Sequence, residues 1–171
     1  MIPGKATTLA AVAALCAGTS LQSIASVYFG MGDLDRALSE LELALALGSS
    51  LAAAHAGRGS ILTQRRQLEQ ASRSFRRAPH FEPGESSHLV QLGKVQCELH
   101  RWEEGLQSFR HAVAIDSTQH EGYLGWAVAA RGMGNLEEAE RVLLQATALR
   151  PESATVSSLL QAIRRQRSAE N

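Results

Sequence analysis

The sequence predicts an all-α fold, a right-handed α-solenoid of helix–turn–helix hairpins, on three observations. A 34-residue step relates columns of small residues along most of the chain. Between those columns, apolar residues recur at i, i+3, i+4 and i+7, the spacing of one buried helical face. The composition is rich in Ala, Leu, Glu, Gln and Arg with only 5% aromatics, which favours helix over strand.

The elements follow in chain order. Residues 1–17 carry a single charge, Lys5, before the small apolar run 10–17. A lone positive charge ahead of such a run has the form of an export signal. That run is mostly alanine, no clean Ala-x-Ala site precedes the first hairpin, and Leu15 directly before Cys16 breaks a lipoprotein pattern. Leu9, Val12, Ala13 and Cys16 share one helical face, so the expectation is a helix over 7–17 packed on the first hairpin, and a cytoplasmic chain. The alternative is export or membrane association through residues 1–19.

Four hairpins come next, at 18–51, 52–85, 86–119 and 120–153, with no insertion. Ala25, Gly59, Gly93 and Ala127 form one small column. Ala37, Ala71, Gly105 and Ala139 form a second, and Ala44, Ala78, Ala112 and Ala146 a third. The large columns are Leu41/Phe75/Phe109/Leu143, Leu34/Leu68/Trp102/Leu136 and Leu47/Phe81/Ile115/Leu149. Two helices approach closely only where Gly or Ala removes bulk, and the large columns fill the gaps alongside. In the first unit Leu21, Ile24, Ala25 and Tyr28 stripe the leading helix, and Ala37, Leu41 and Ala44 the following one. Gly32-Asp33 and Gly134-Asn135 mark turns where glycine takes positive φ and stops a helix. Pro83 and Pro151 close second helices, with Ser49 and Ser117 in their place elsewhere. Residues 154–171 close the chain. Val156, Leu159, Leu160 and Ile163 share one face and Arg164, Arg165 and Arg167 point to solvent, as a helix capping the last exposed apolar face requires. The total is about nine or ten helices and no sheet.

On these columns the chain resembles the tetratricopeptide repeat family over 136 of its 171 residues. The third and fourth units match best, through Leu89, Leu92-Gly93, Phe109 and Ala112, then Tyr123, Ala127, Ala139, Ala146 and Pro151. The second unit departs from the family pattern. His55 and Arg58 stand where apolar residues are usual, Arg65-Arg66 occupy the turn, and Pro79 should end the second helix near Ala78.

The resemblance implies partner binding on a concave wall lined by first helices. Here that wall is Gln22, Ser26 and Phe29, then Ala56, Ser60 and Thr63. The third unit adds Val90, Lys94, Cys97 and Glu98, and the fourth Glu121, Leu124, Val128 and Arg131. The Lys and Asn clamp with which some relatives hold acidic chaperone tails is missing, and so is the asparagine ladder, since the only asparagines are Asn135 and Asn171. Small and mixed walls suit a partly apolar helix or extended peptide.

Other chemistries find little footing. Seventeen basic residues balance seventeen acidic ones, so the phosphate-matching excess of a nucleic-acid binder is absent. No run is long enough to span a membrane. Cys16 and Cys97 do not make a disulfide framework. The six histidines form no i, i+4 pair, and Cys97 with His100 supplies only two metal ligands. Glu103-Glu104 and Glu137-Glu138 open second helices, where acids complement the helix dipole. Arg65, Arg66, Arg73, Arg76 and Arg77 read as a solvated convex face, with an acidic partner as the rival reading. No catalytic, cofactor or metal residue is assigned, and the chain is read as not an enzyme. The leading function is a scaffold or adaptor binding a partner peptide or helix. The alternatives are a repeat region or accessory subunit of a larger enzyme or secretion assembly, and a self-associating module that forms a homodimer through an end helix.

Overall fold

The computed structural model describes residues 20–47, 52–78 and 86–170. Among them lie nine helices and no strand: α1 (20–30), α2 (Leu34–Ala46), α3 (Ala52–Gln64), α4 (Leu68–Arg77), α5 (Ser86–Glu98), α6 (Trp102–Ile115), α7 (His120–Gly132), α8 (Leu136–Leu149) and α9 (Ala154–Glu170). The expected helix over 7–17, with Lys5 and Cys16, lies outside the described residues, as do Ser49, Pro79, His80, Phe81 and Pro83. The chain divides into two compact units, Met1–His80 and Phe81–Asn171.

In the first unit α1–α2 and α3–α4 form successive hairpins. Ala25, Ala37, Leu41, Ala54 and Ile61 are buried together there. The small columns do the work expected of them. A Cβ on Gly59 would lie 2.8 Å from the Phe75 ring, so the bare glycine is what lets α3 and α4 meet. In the second unit Gly93 stands in the same relation to Phe109, again at 2.8 Å. There α5–α6 and α7–α8 pack around Leu89, Phe109, Leu136, Val142 and Leu143, and α9 adds Val156 and Ile163 to the cluster.

All four first helices end in one geometry. The N–H groups of Gly32, Arg66, His100 and Gly134 bond three residues back, to Phe29, Thr63, Cys97 and Arg131. Those of Asp33, Gln67, Arg101 and Asn135 bond five back, to Tyr28, Leu62, Gln96 and Ala130. This pair of bonds is the Schellman motif, which needs a left-handed residue. Glycine supplies it in the outer hairpins, at φ 78° for Gly32 and 79° for Gly134. Arg66 and His100 adopt φ 59° and 58° at the inner turns, which lack glycine.

The next helix also starts unevenly, according to the residue at its N-cap. Asp33 and Asn135 accept a bond from the N–H of Arg36 and Glu138, whereas Gln67 and Arg101 make no side-chain cap. Helix α4 ends at Arg77 with Ala78 extended, as the following Pro79 demands. Two expectations need correction. Leu47, Ile115 and Leu149 sit at the ends of α2, α6 and α8 and stay about 40% exposed (43%, 40% and 39%), so these three members of their column fill no gap. Arg164 and Arg167 of α9 do not simply face solvent: both bond Glu140 of α8, at 2.7 and 2.6 Å.

Candidate partner-binding site

The second unit carries the more open cavity. Helix α5 presents Lys94, Cys97 and Glu98 at i, i+3 and i+4. Helix α7 presents Glu121, Leu124, Gly125 and Val128 at i, i+3, i+4 and i+7, so each set forms one stripe. With His100 of the turn and Trp102 and Phe109 of α6, they enclose about 690 Å³, within the size range of pockets that bury a ligand. The floor is apolar. Phe109 is almost fully buried, and a Cβ on Gly125 would come within 2.1 Å of its ring. Glycine at 125 therefore seats the ring and keeps the floor low. His100 stands edge-on to Trp102, with centroids 5.4 Å apart.

The polar rim is mostly self-paired. Lys94 Nζ donates to Glu121 Oε2 at 2.6 Å, joining α5 to α7. That bond is the main cause holding the Glu121 carboxyl below its ordinary pKa. Both side chains are about half exposed (44% and 58%), so the pair orients the rim more than it stabilises the fold. Cys97 is buried, and burial pushes its thiol up to about 11. At neutral pH it is an uncharged apolar surface, not a nucleophile.

In the first unit Gln22, Ser26 and Phe29 of α1 face Ser60 of α3 across a cavity of about 160 Å³, backed by Ala25, Leu41 and Gly57. The hydroxyls of Ser26 and Ser60 donate to the Gln22 and Ala56 carbonyls of their own helices. They are thus committed as donors.

The wall expected from the sequence is therefore divided. Six of its residues, Lys94, Cys97, Glu98, Glu121, Leu124 and Val128, meet in one cavity. Gln22, Ser26, Phe29 and Ser60 meet in another. Thr63 is half-buried, its hydroxyl bonded to the Gly59 carbonyl. Ala56 and Val90 offer no wall, being 5% and 1% exposed. Val90 shares a stripe with Lys94 and Cys97, but it is packed into the buried cluster of the second unit. Arg131 lines neither cavity and donates to Gln166 of α9 at 3.2 Å. The reading of first helices alone missed His100, Trp102 and Phe109. One signal was available: Trp102 is the only aromatic in a column otherwise made of leucine.

Among the described residues no group of three or more His, Cys, Asp or Glu side chains is placed to hold a metal ion. No described helix is long and apolar enough to cross a membrane.

A search of curated proteins by sequence returns no match. A tetratricopeptide repeat family model matches residues 18–47. Among solved structures, the chain is similar to YrrB, described as a tetratricopeptide protein with an unusual peptide-binding site: 22% identity over 86% of this chain and 76% of that one, TM-score 0.75. It is similar to MamA of Desulfovibrio magneticus, at 16% identity over 88% and 85% of the two chains, TM-score 0.80. It is also similar to the second tetratricopeptide domain of human RPAP3, solved with the HSP70 peptide SGPTIEEVD: 16% identity over 64% and 92%, TM-score 0.61. These likenesses carry the fold. With the 34-residue register and the repeated hairpin turns, they give this chain the α-solenoid fold of tetratricopeptide repeats, and the family model matches the first of its repeats.

Proposed function

We propose that the chain is a protein–protein interaction module whose second unit holds a partly apolar segment of another protein between α5 and α7. One observation carries this reading: an open cavity floored by Phe109, Leu124 and Trp102 sits beneath a rim on which Lys94 and Glu121 pair with each other. Apolar surface left to water contributes nothing to folding, and a bound segment would bury it. The peptide-binding descriptions of YrrB and the RPAP3 domain support the idea that this fold can hold an extended chain. The chemistry of the bound segment differs here. Lys94 is occupied by Glu121, and Glu98 adds a further negative charge at the rim. An acidic tail therefore meets no free cation in this cavity.

A photo-crosslinking residue at Val128, 41% exposed, tests the reading in the native host. The expected product joins α7 to a peptide carrying aliphatic or aromatic side chains, and Leu124→Asp abolishes it while the helical spectrum is retained. Crosslinks unaffected by Leu124→Asp, or only to acidic peptides, would overturn it.

A further inference from the structure

The first unit holds a second feature of different chemistry. Hairpin α3–α4 carries six arginines, Arg58, Arg65, Arg66, Arg73, Arg76 and Arg77, against one acid, Glu69, in a chain of zero formal net charge. Arg65 is taken up by Asp35 of α2. Three of the others, Arg58, Arg73 and Arg77, line a single cavity of about 280 Å³ with Gln70 and Ser74. Arg58 is anchored: it donates to Ser74 Oγ at 2.9 Å, and its other terminal nitrogen lies 3.7 Å from Glu42. Ser74 is buried and its hydroxyl donates to the Gln70 carbonyl. Arg73 donates to the Glu69 carbonyl over a long 3.4 Å. Among the described residues, neither Arg73 nor Arg77 meets a carboxylate.

The fourth hairpin shows what the same place looks like when filled. Trp126, 68 residues after Arg58 in the register, has the guanidinium groups of Arg110 and Arg141 over its ring and donates its indole N–H to Glu138 at 2.9 Å. In the second hairpin an arginine replaces that ring, and Gln70 replaces the acid. Space and positive charge remain where the fourth hairpin has a ring and a carboxylate. The neighbouring His55 reports that field: its pKa is lowered, first by burial and then by Arg77 and Arg58.

We propose that Arg58, Arg73 and Arg77, with Gln70, form a binding site for a dianionic phosphoryl group. Glu42 offsets part of the Arg58 charge, which leaves about two positive charges for the ligand. A phosphate monoester carries about −1.5 to −2 at neutral pH and has three acceptor oxygens, matching three guanidinium donors and an amide. A carboxylate has one charge and two oxygens, and a nucleic-acid diester has one charge per phosphate, so both fit less well. The group reaches the site either as a monoester on another molecule or as free phosphate.

Titration of the full chain with inorganic phosphate, phenyl phosphate, acetate and a short single-stranded oligonucleotide, at matched ionic strength, tests this. The readout is the Nε–Hε resonances of Arg58, Arg73 and Arg77. Saturable shifts are expected with the two phosphates, and Arg73→Gln with Arg77→Gln should weaken them about tenfold or more while the melting temperature in chloride buffer holds. Tighter binding of phenyl phosphate identifies a monoester on another molecule as the source, and tighter binding of inorganic phosphate identifies the free ion. Shifts that do not saturate, that persist in the double variant, or that acetate or the oligonucleotide produces at lower concentration would overturn the proposal.

Discussion

A left-handed residue at each of four equivalent turns shows how much rests on single positions. Gly134 meets nothing within 4 Å of where a Cβ would stand, so its substitution isolates backbone strain from packing. Gly134→Ala is expected to cost about 1 kcal/mol, the lower end for a non-glycine residue held in this region. Helix starts offer a matched pair. Asn135→Ala removes the bond to the Glu138 N–H and should cost about 1 kcal/mol, whereas Arg101→Asn installs a cap that α6 lacks and should gain about 0.5 kcal/mol. Urea denaturation of the three variants reads these values directly. Cys97 gives a pH signature. Its thiol is raised from 9.0 to about 11 in the fold, so the unfolded chain loses its proton first. Stability is whole below pH 9 and falls as pH rises from about 9 to 11. In a Cys16→Ser chain, iodoacetamide should label Cys97 far more slowly when folded than in urea, and Cys97→Ala should remove the alkaline slope.

At the scale of helices, the small columns decide which surfaces meet. Ala112 and Ala139 have no exposed surface, while Glu103 opens α6 at the exterior. Enlarging a residue at a close crossing forces off-rotamer side chains or a backbone shift, at about 1–3 kcal/mol, while an exposed change stays within about 0.5 kcal/mol. Ala112→Leu and Ala139→Leu should therefore melt below the parent and Glu103→Leu beside it. Equal melting temperatures would refute the packing role of these columns. Helix α9 is held to α8 by buried Val156 and Ile163 and by the two arginines on Glu140. Ile163→Ala should cost about 2–5 kcal/mol by opening a cavity. Arg167→Ala should cost well under 1 kcal/mol, because that pair is half exposed on the arginine side.

For the whole molecule, the two compact units carry different chemistries on one repeat plan. The second unit has an apolar floor with a self-paired rim; the first has an arginine-lined cavity. Because the sites share no residue, their responses should be separable. Leu124→Asp should leave the phosphate response intact, and Arg73→Gln with Arg77→Gln should leave crosslinking at Val128 intact. The peptide SGPTIEEVD, with two glutamates and an aspartate, should show no saturable binding to the α5–α7 cavity, read by calorimetry with the RPAP3 domain as positive control.

The repeat itself was legible in the sequence. Columns such as Ala37/Ala71/Gly105/Ala139 determine helix, hairpin and period, because close crossings accept only small residues whatever surrounds them. The glycine turns and the early end of α4 before Pro79 were legible for the same local reason. Tertiary structure alone decided which members of a stripe stay open. Val90 and Lys94 share one line along α5, yet packing buries the first and leaves the second beside Glu121. It alone showed that Arg66 and His100 take the left-handed turn without glycine, since the flanking helices impose that φ on whatever residue falls there. It alone brought Arg58 of α3 beside Arg73 and Arg77 of α4. Periodicity reports which face a residue occupies on its own helix. What covers that face depends on a neighbouring helix, which the spacing within one element does not encode.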